Sequence, residues 1–123
     1  MKLKFVAAAL CAAAGLLFST GCGEAKSNAN TIKIGVSIPA ADHGWTGGIV
    51  WWAEQAKKSW EKKDPNVRVI ISTAKDAAEQ VDKIENLLVQ KVDALVVLPQ
   101  EPGPLTSICT KASKQGKYLV VVD

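Results

Sequence analysis

The sequence predicts an α/β domain: a parallel sheet layered between helices. Three observations carry this. Four short β-branched segments recur along the chain, three longer segments of helical spacing separate them, and the connections are a few residues long. Right-handed crossovers through helices then make neighbouring strands parallel and cover the sheet on both faces.

Residues 1–21 read as a lipoprotein-type signal peptide. Met1-Lys2-Leu3-Lys4 supplies positive charge, and Phe5 to Phe18 is an uncharged run of 14 residues. A spanning helix needs about 20 apolar residues, so this run has the length of a signal-peptide core. Ser19-Thr20-Gly21 then sets small residues ahead of Cys22, as expected where a Cys thiol is acylated after cleavage. Ser19 stands where Leu is usual, and ordinary cleavage near Gly21 is the alternative. Residues 22–30 (CGEAKSNAN) are small and polar and read as a flexible tether.

The domain proper is expected over residues 31–123. Thr31 to Ile38 alternates Ile32, Ile34, Val36 and Ile38, as a strand does. Thr46 to Lys63 has Ile49, Trp52, Ala53, Ala56 and Trp60 on one helical face, which places Trp52 and Trp60 in the core. Pro65-Asn66 ends that helix, and Val67 to Thr73 is a second strand. Asp76 with Glu79 three residues later resembles a capping box opening a second helix, whose stripe is Val81, Ile84, Leu87 and Leu88. Ala94 to Leu98 is a continuous apolar run, expected of a strand covered on both faces. Pro102 and Pro104 open a third helix, Gly116 closes it, and Tyr118 to Val122 is the fourth strand.

Composition narrows the function. The chain has 123 residues, which allows one small domain. Its formal charge is +3, and Lys2 and Lys4 in the leader supply two of those charges. No basic patch remains for nucleic acid. Of three cysteines, Cys11 lies in the leader and Cys22 is the acylation candidate. Cys109 is left alone, so no disulfide framework is expected, and it reads as a small buried hydrophobe. With one His, no metal-ligand set is expected. Neither GxGxxG nor GxxxxGK[ST] occurs, which disfavours nucleotide cofactors; no cofactor is expected.

In open parallel sheets, ligands bind beyond the carboxyl ends of the strands. The polar and aromatic outliers fall in those loops: Asp42, His43 and Trp45 after strand one, Gln100 and Glu101 after strand three, and Asp123 after strand four. A sugar or polyol wants planar donors and acceptors around its hydroxyls, and an aromatic ring against its C–H face. Asp42, Gln100, Glu101 and Asp123 are the first kind and Trp45 is the second. Each has a plainer reading: Asp42 as a turn or cap, Trp45 as a staple on the helix entrance, His43, Gln100 and Glu101 as solvated loop residues.

The leader, the stretch IKIGVSIPAADHGWTGGIVWWAEQAKK, and the strands ALVVLP and YLVVVD together resemble the N-terminal lobe of a type I periplasmic sugar-binding protein, the ribose-binding-protein-like group that serves ABC importers. Ile38 to Ala53, with ADHGWTGG inside it, is the most specific part. The resemblance implies two α/β lobes joined by a hinge, with a sugar or polyol held between them. It assigns Asp42, His43, Trp45, Gln100, Glu101 and Asp123 to the cleft, and an ABC permease as partner. Its members run to roughly twice or three times this length, as two domains require. The chain is therefore expected to be a truncated first lobe, lacking the C-terminal lobe and holding half of a cleft. Periplasmic or cell-surface location follows, with a lipid anchor at Cys22. An exported sugar-sensing receptor shares the same lobe. An exported α/β enzyme is the other alternative, for which His43 beside Asp42 is the only suggestive pair.

Overall fold

The computed structural model describes residues 30–122. The leader, Cys22 and all but the last residue of the tether lie outside the described residues, as does Asp123. The elements are β1 (Ile32–Pro39), α1 (Gly44–Lys63), β2 (Val67–Ala74), α2 (Ala77–Val89), β3 (Ala94–Val97), α3 (Pro102–Lys114) and β4 (Tyr118–Val121). The order is the one the sequence predicts, with boundaries moved by one or two residues. All pairings are parallel, in the strand order β2-β1-β3-β4.

That order contains a reversal. The chain steps from β1 outward to β2, then crosses back past β1 to β3 and on to β4. Right-handed crossovers therefore put α1 on one face and α2 and α3 on the other. The packing agrees: α1 lies on β1 and β2, while α2 packs on both strands and on α3. The helices after β1 and β3 diverge to opposite faces, and a crevice opens between the carboxyl ends of those two strands.

Local chemistry sets the helix ends. Asp76 is extended and caps α2, its Oδ1 accepting the Glu79 N–H at 2.8 Å. The Glu79 carboxylate returns to the Lys75 N–H at 2.9 Å, one residue before the cap, so the box is wider than the standard form. Pro102 fills the first turn of α3, where its missing N–H costs nothing. Gly116 has φ +74°, the left-handed conformation that ends α3 and that glycine adopts without strain.

The two faces are filled unequally. On the α2/α3 side, Ile84, Leu87, Val92, Leu95, Val97, Leu105, Ile108 and Ala112 form a closed core. Gly35 of β1 faces this side, and a Cβ there would stand 2.9 Å from Leu95 Cδ2 and 3.1 Å from Leu87 Cδ1. The close approach of α2 to the sheet therefore needs glycine at that position.

The α1 side departs from expectation. Trp52 and Trp60 are not core: they are 68% and 54% exposed. The physical reason is coverage. Among the described residues α1 is the only helix on its face, and it lies over β1 and β2 alone. Its apolar stripe overhangs an open groove of roughly 620 Å³, floored by Ile34, Val36 and Val96. For the same reason β3 is not covered on both faces: Leu95 and Val97 are fully buried, while Val96 is half-buried on the α1 side.

Candidate functional site

The crevice at the carboxyl ends of β1 and β3 is where the candidate residues meet. A depression of roughly 350 Å³ lies there, lined by Asp42, His43, Trp45, Thr46, Pro99 and Gln100, with Pro39 and Leu98 behind them.

The wall from β1 is built by helix-capping chemistry. Beyond Pro39 the chain turns, with the Ala40 N–H donating to Ala74 O at 2.7 Å. His43 then takes the extended conformation of a helix cap, and its backbone N–H donates to the Thr46 Oγ1 at 3.2 Å. The Thr46 hydroxyl in turn donates to Asp42 Oδ1 at 2.9 Å. His43 Nε2 lies 3.5 Å from the same oxygen, with both side chains well exposed. The Thr46 hydrogen bond holds the Asp42 carboxyl below its ordinary value against the opposing effect of desolvation, with a lesser contribution from His43. Asp42 is therefore an ionised acceptor at neutral pH, beside the N-terminus of α1, whose dipole favours negative charge.

The wall from β3 is held from within. The Leu98 N–H donates to Ser37 O at 2.9 Å, extending the β1–β3 pairing past the end of β3. Gln100 is half-buried, and its Nε2 donates to Lys75 O at 3.3 Å, linking this loop to the one after β2. Trp45 is exposed, and its ring borders both this depression and the apolar groove.

Asp42, His43, Trp45 and Gln100 are thus brought together. Glu101 is not among the lining residues: it is exposed and precedes α3, where its side chain makes no capping bond. Asp123 lies outside the described residues. Two residues escaped the sequence reading. Thr46 is buried and orders the Asp42 loop; its signal was its place three residues after the helix cap. Gln80 is buried beneath the β3 loop; its signal was a polar residue on the Ala77–Ile84–Leu87 stripe. Among the described residues no group of His, Cys, Asp and Glu could hold a metal ion, and no helix is long and apolar enough to cross a membrane.

A carboxylate, a carboxamide and an indole around a small crevice suit an uncharged, hydroxyl-rich solute. The polar groups of this parallel α/β lobe gather at the strand reversal, the place where open sheets of this kind bind small molecules. Comparison with known proteins gives the family. Residues 34–123 match the periplasmic binding protein domain, and the chain belongs to that family. Its members are ligand-binding transport proteins rather than enzymes.

The chain is 28% identical over 122 residues to a xylitol-binding protein of Mycolicibacterium smegmatis, covering 98% of this chain and 33% of that protein. It therefore spans about a third of the length of the curated relative that it matches. An ABC transporter solute-binding protein from Thermobispora bispora superposes with a TM-score of 0.64 at 29% identity, over 74% of this chain and 29% of that one. Another, from Mycobacterium smegmatis with bound glycerol, gives a TM-score of 0.66 over 76% of this chain and 31% of that one. Its identity of 20% speaks for the fold, a periplasmic binding protein-like lobe of which this chain forms part.

Proposed function

We propose that this lobe supplies one half of a binding site for a polyol or monosaccharide, in the solute-binding component of an ABC-type importer. The observation that carries the reading is the convergence of Asp42, Trp45 and Gln100 on one crevice at the strand reversal. Asp42 accepts from a ligand hydroxyl, Gln100 offers a carboxamide, and Trp45 lies against a C–H face. The relatives support the solute class, since one is a xylitol-binding protein and another holds glycerol. His43, Glu101 and Asp123 remain candidates for the cleft rim. The second half of the cleft comes from a second lobe, and hinge closure between the lobes buries the ligand. The protein works in the periplasm or at the cell surface, tethered through a lipid on Cys22, and delivers solute to a permease.

Thermal unfolding of the full-length protein in xylitol, glycerol and a panel of monosaccharides tests this. Binding to the folded state alone raises stability by mass action, about 2.7 kcal/mol at a ligand concentration 100 times Kd. A rise in Tm with a polyol or sugar is the expected result. No shift across the panel would remove the sugar and polyol reading.

A further inference from the structure

Gln80 belongs to none of the loops assigned to binding. It sits in the first turn of α2 and is fully buried. Its carboxamide reaches three separate points at the mouth of the crevice. Nε2 donates to Leu98 O at 2.8 Å and contacts Ser37 Oγ at 3.2 Å. Oε1 accepts the backbone N–H of Gln100 at 2.7 Å. Ser37 belongs to β1, Leu98 follows the last residue of β3, and Gln100 carries the carboxamide of the candidate site.

The loop after β3 leaves the sheet with backbone groups that no strand pairs. A buried backbone donor or acceptor left unsatisfied costs roughly 1–3 kcal/mol. Gln80 satisfies a carbonyl and an N–H on either side of Pro99, and uses both ends of its amide to do so. Two anchor points flanking a proline leave that short segment little freedom. The same side chain touches β1, so the loop is registered against the strand that leads to Asp42 and Trp45.

We infer that Gln80 is a positioning residue: it fixes the 98–100 loop, and with it Gln100, relative to Asp42 across the crevice. Its bearing on affinity rests on the proposed function; its hold on the loop does not. Gln80→Met keeps an unbranched side chain of similar length and removes all three bonds. In the full-length protein, amide hydrogen exchange is followed at Gln100 and at Leu95 in the core, without ligand. Xylitol affinity is measured beside it.

The expected result is exchange at Gln100 faster by about tenfold or more, Leu95 unchanged, and a xylitol Kd raised about tenfold, which corresponds to about 1.4 kcal/mol. Gln100 exchange that is unchanged, or that moves only in step with Leu95, overturns the inference. So does faster loop exchange with unaltered Kd. If Gln80→Met does not fold, the parent protein decides. Slow exchange of both the Gln80 side-chain amide and the Gln100 N–H supports the inference, and exchange at solvent-exposed rates overturns it. If the parent protein binds neither xylitol nor any solute of the panel, the solute reading fails and the effect on affinity fails with it. The loop exchange then still decides whether Gln80 orders this segment.

Discussion

The Thr46 hydroxyl donates to the Asp42 carboxylate at 2.9 Å while accepting the His43 N–H at 3.2 Å. One buried hydroxyl therefore caps α1 and holds the Asp42 carboxyl below its ordinary value. Thr46→Val deletes it with little change in shape. The Asp42 carboxyl should then titrate nearer its ordinary value, as read by carboxyl-carbon NMR. The sign for stability follows. A carboxyl held low in the folded state contributes stability above its ordinary value, and that contribution is lost as pH falls through the lower folded value. The parent protein should lose more stability than Thr46→Val on acidification below about pH 4.

Affinity should follow the polar rim. Gln100→Ala removes a neutral hydrogen-bonding group, with a net effect of about 0.5–1.5 kcal/mol. Asp42→Ala removes a charged acceptor, with a net effect of about 1.5–3 kcal/mol. Titration calorimetry with the polyol that most stabilises the parent should show up to about tenfold weaker binding for Gln100→Ala, and about ten- to hundredfold for Asp42→Ala. Equal affinity in parent and Asp42→Ala would take Asp42 out of the site.

Gly35 marks where α2 meets the sheet most closely. The Cβ of Gly35→Ala would meet Leu95 Cδ2 at 2.9 Å and Leu87 Cδ1 at 3.1 Å. Both leucines are buried in a closed core and have little room to turn aside. Overpacking of this kind costs about 1–3 kcal/mol. The unfolding free energy of Gly35→Ala should fall by that amount, read as a lower denaturant midpoint with an unchanged slope.

Burial pushes the Cys109 thiol up from its ordinary value. The thiolate is the reactive form, so Cys109 should alkylate more slowly at about pH 8 than an exposed cysteine. Peptide mass analysis after iodoacetamide treatment reads this directly. Modification should accelerate as pH rises, and reach the rate of a free thiol in denaturant.

Much of this fold was legible because its signals are local. Alternating Ile and Val drew β1, Asp76 opened α2, and Pro102 and Gly116 bracketed α3. The crevice was legible because the α/β alternation fixes where loop residues after β1 and β3 emerge. What the sequence hid depends on coverage and reach. The stripe through Trp52 and Trp60 has core spacing, but burial depends on how much packs against it, and α1 covers two strands alone. Glu101 sits beside Gln100 in sequence yet lies outside the depression, because the chain is already turning into α3 there. Gln80 was hidden because its partners lie 18 to 43 residues away.

All four tryptophans of the chain lie within α1, and each is more than half exposed. Ultraviolet emission from these residues therefore originates on a single helix. Indoles already in contact with water shift little in colour when the chain unfolds, so this emission is nearly blind to the core beneath α2 and α3. Trp45 borders the crevice, whereas Trp60, beneath the Lys63 ammonium at 5.0 Å, lies near the other end of the helix. The lobe thus carries its emitters on one helix, with one ring at the crevice and another about four turns away.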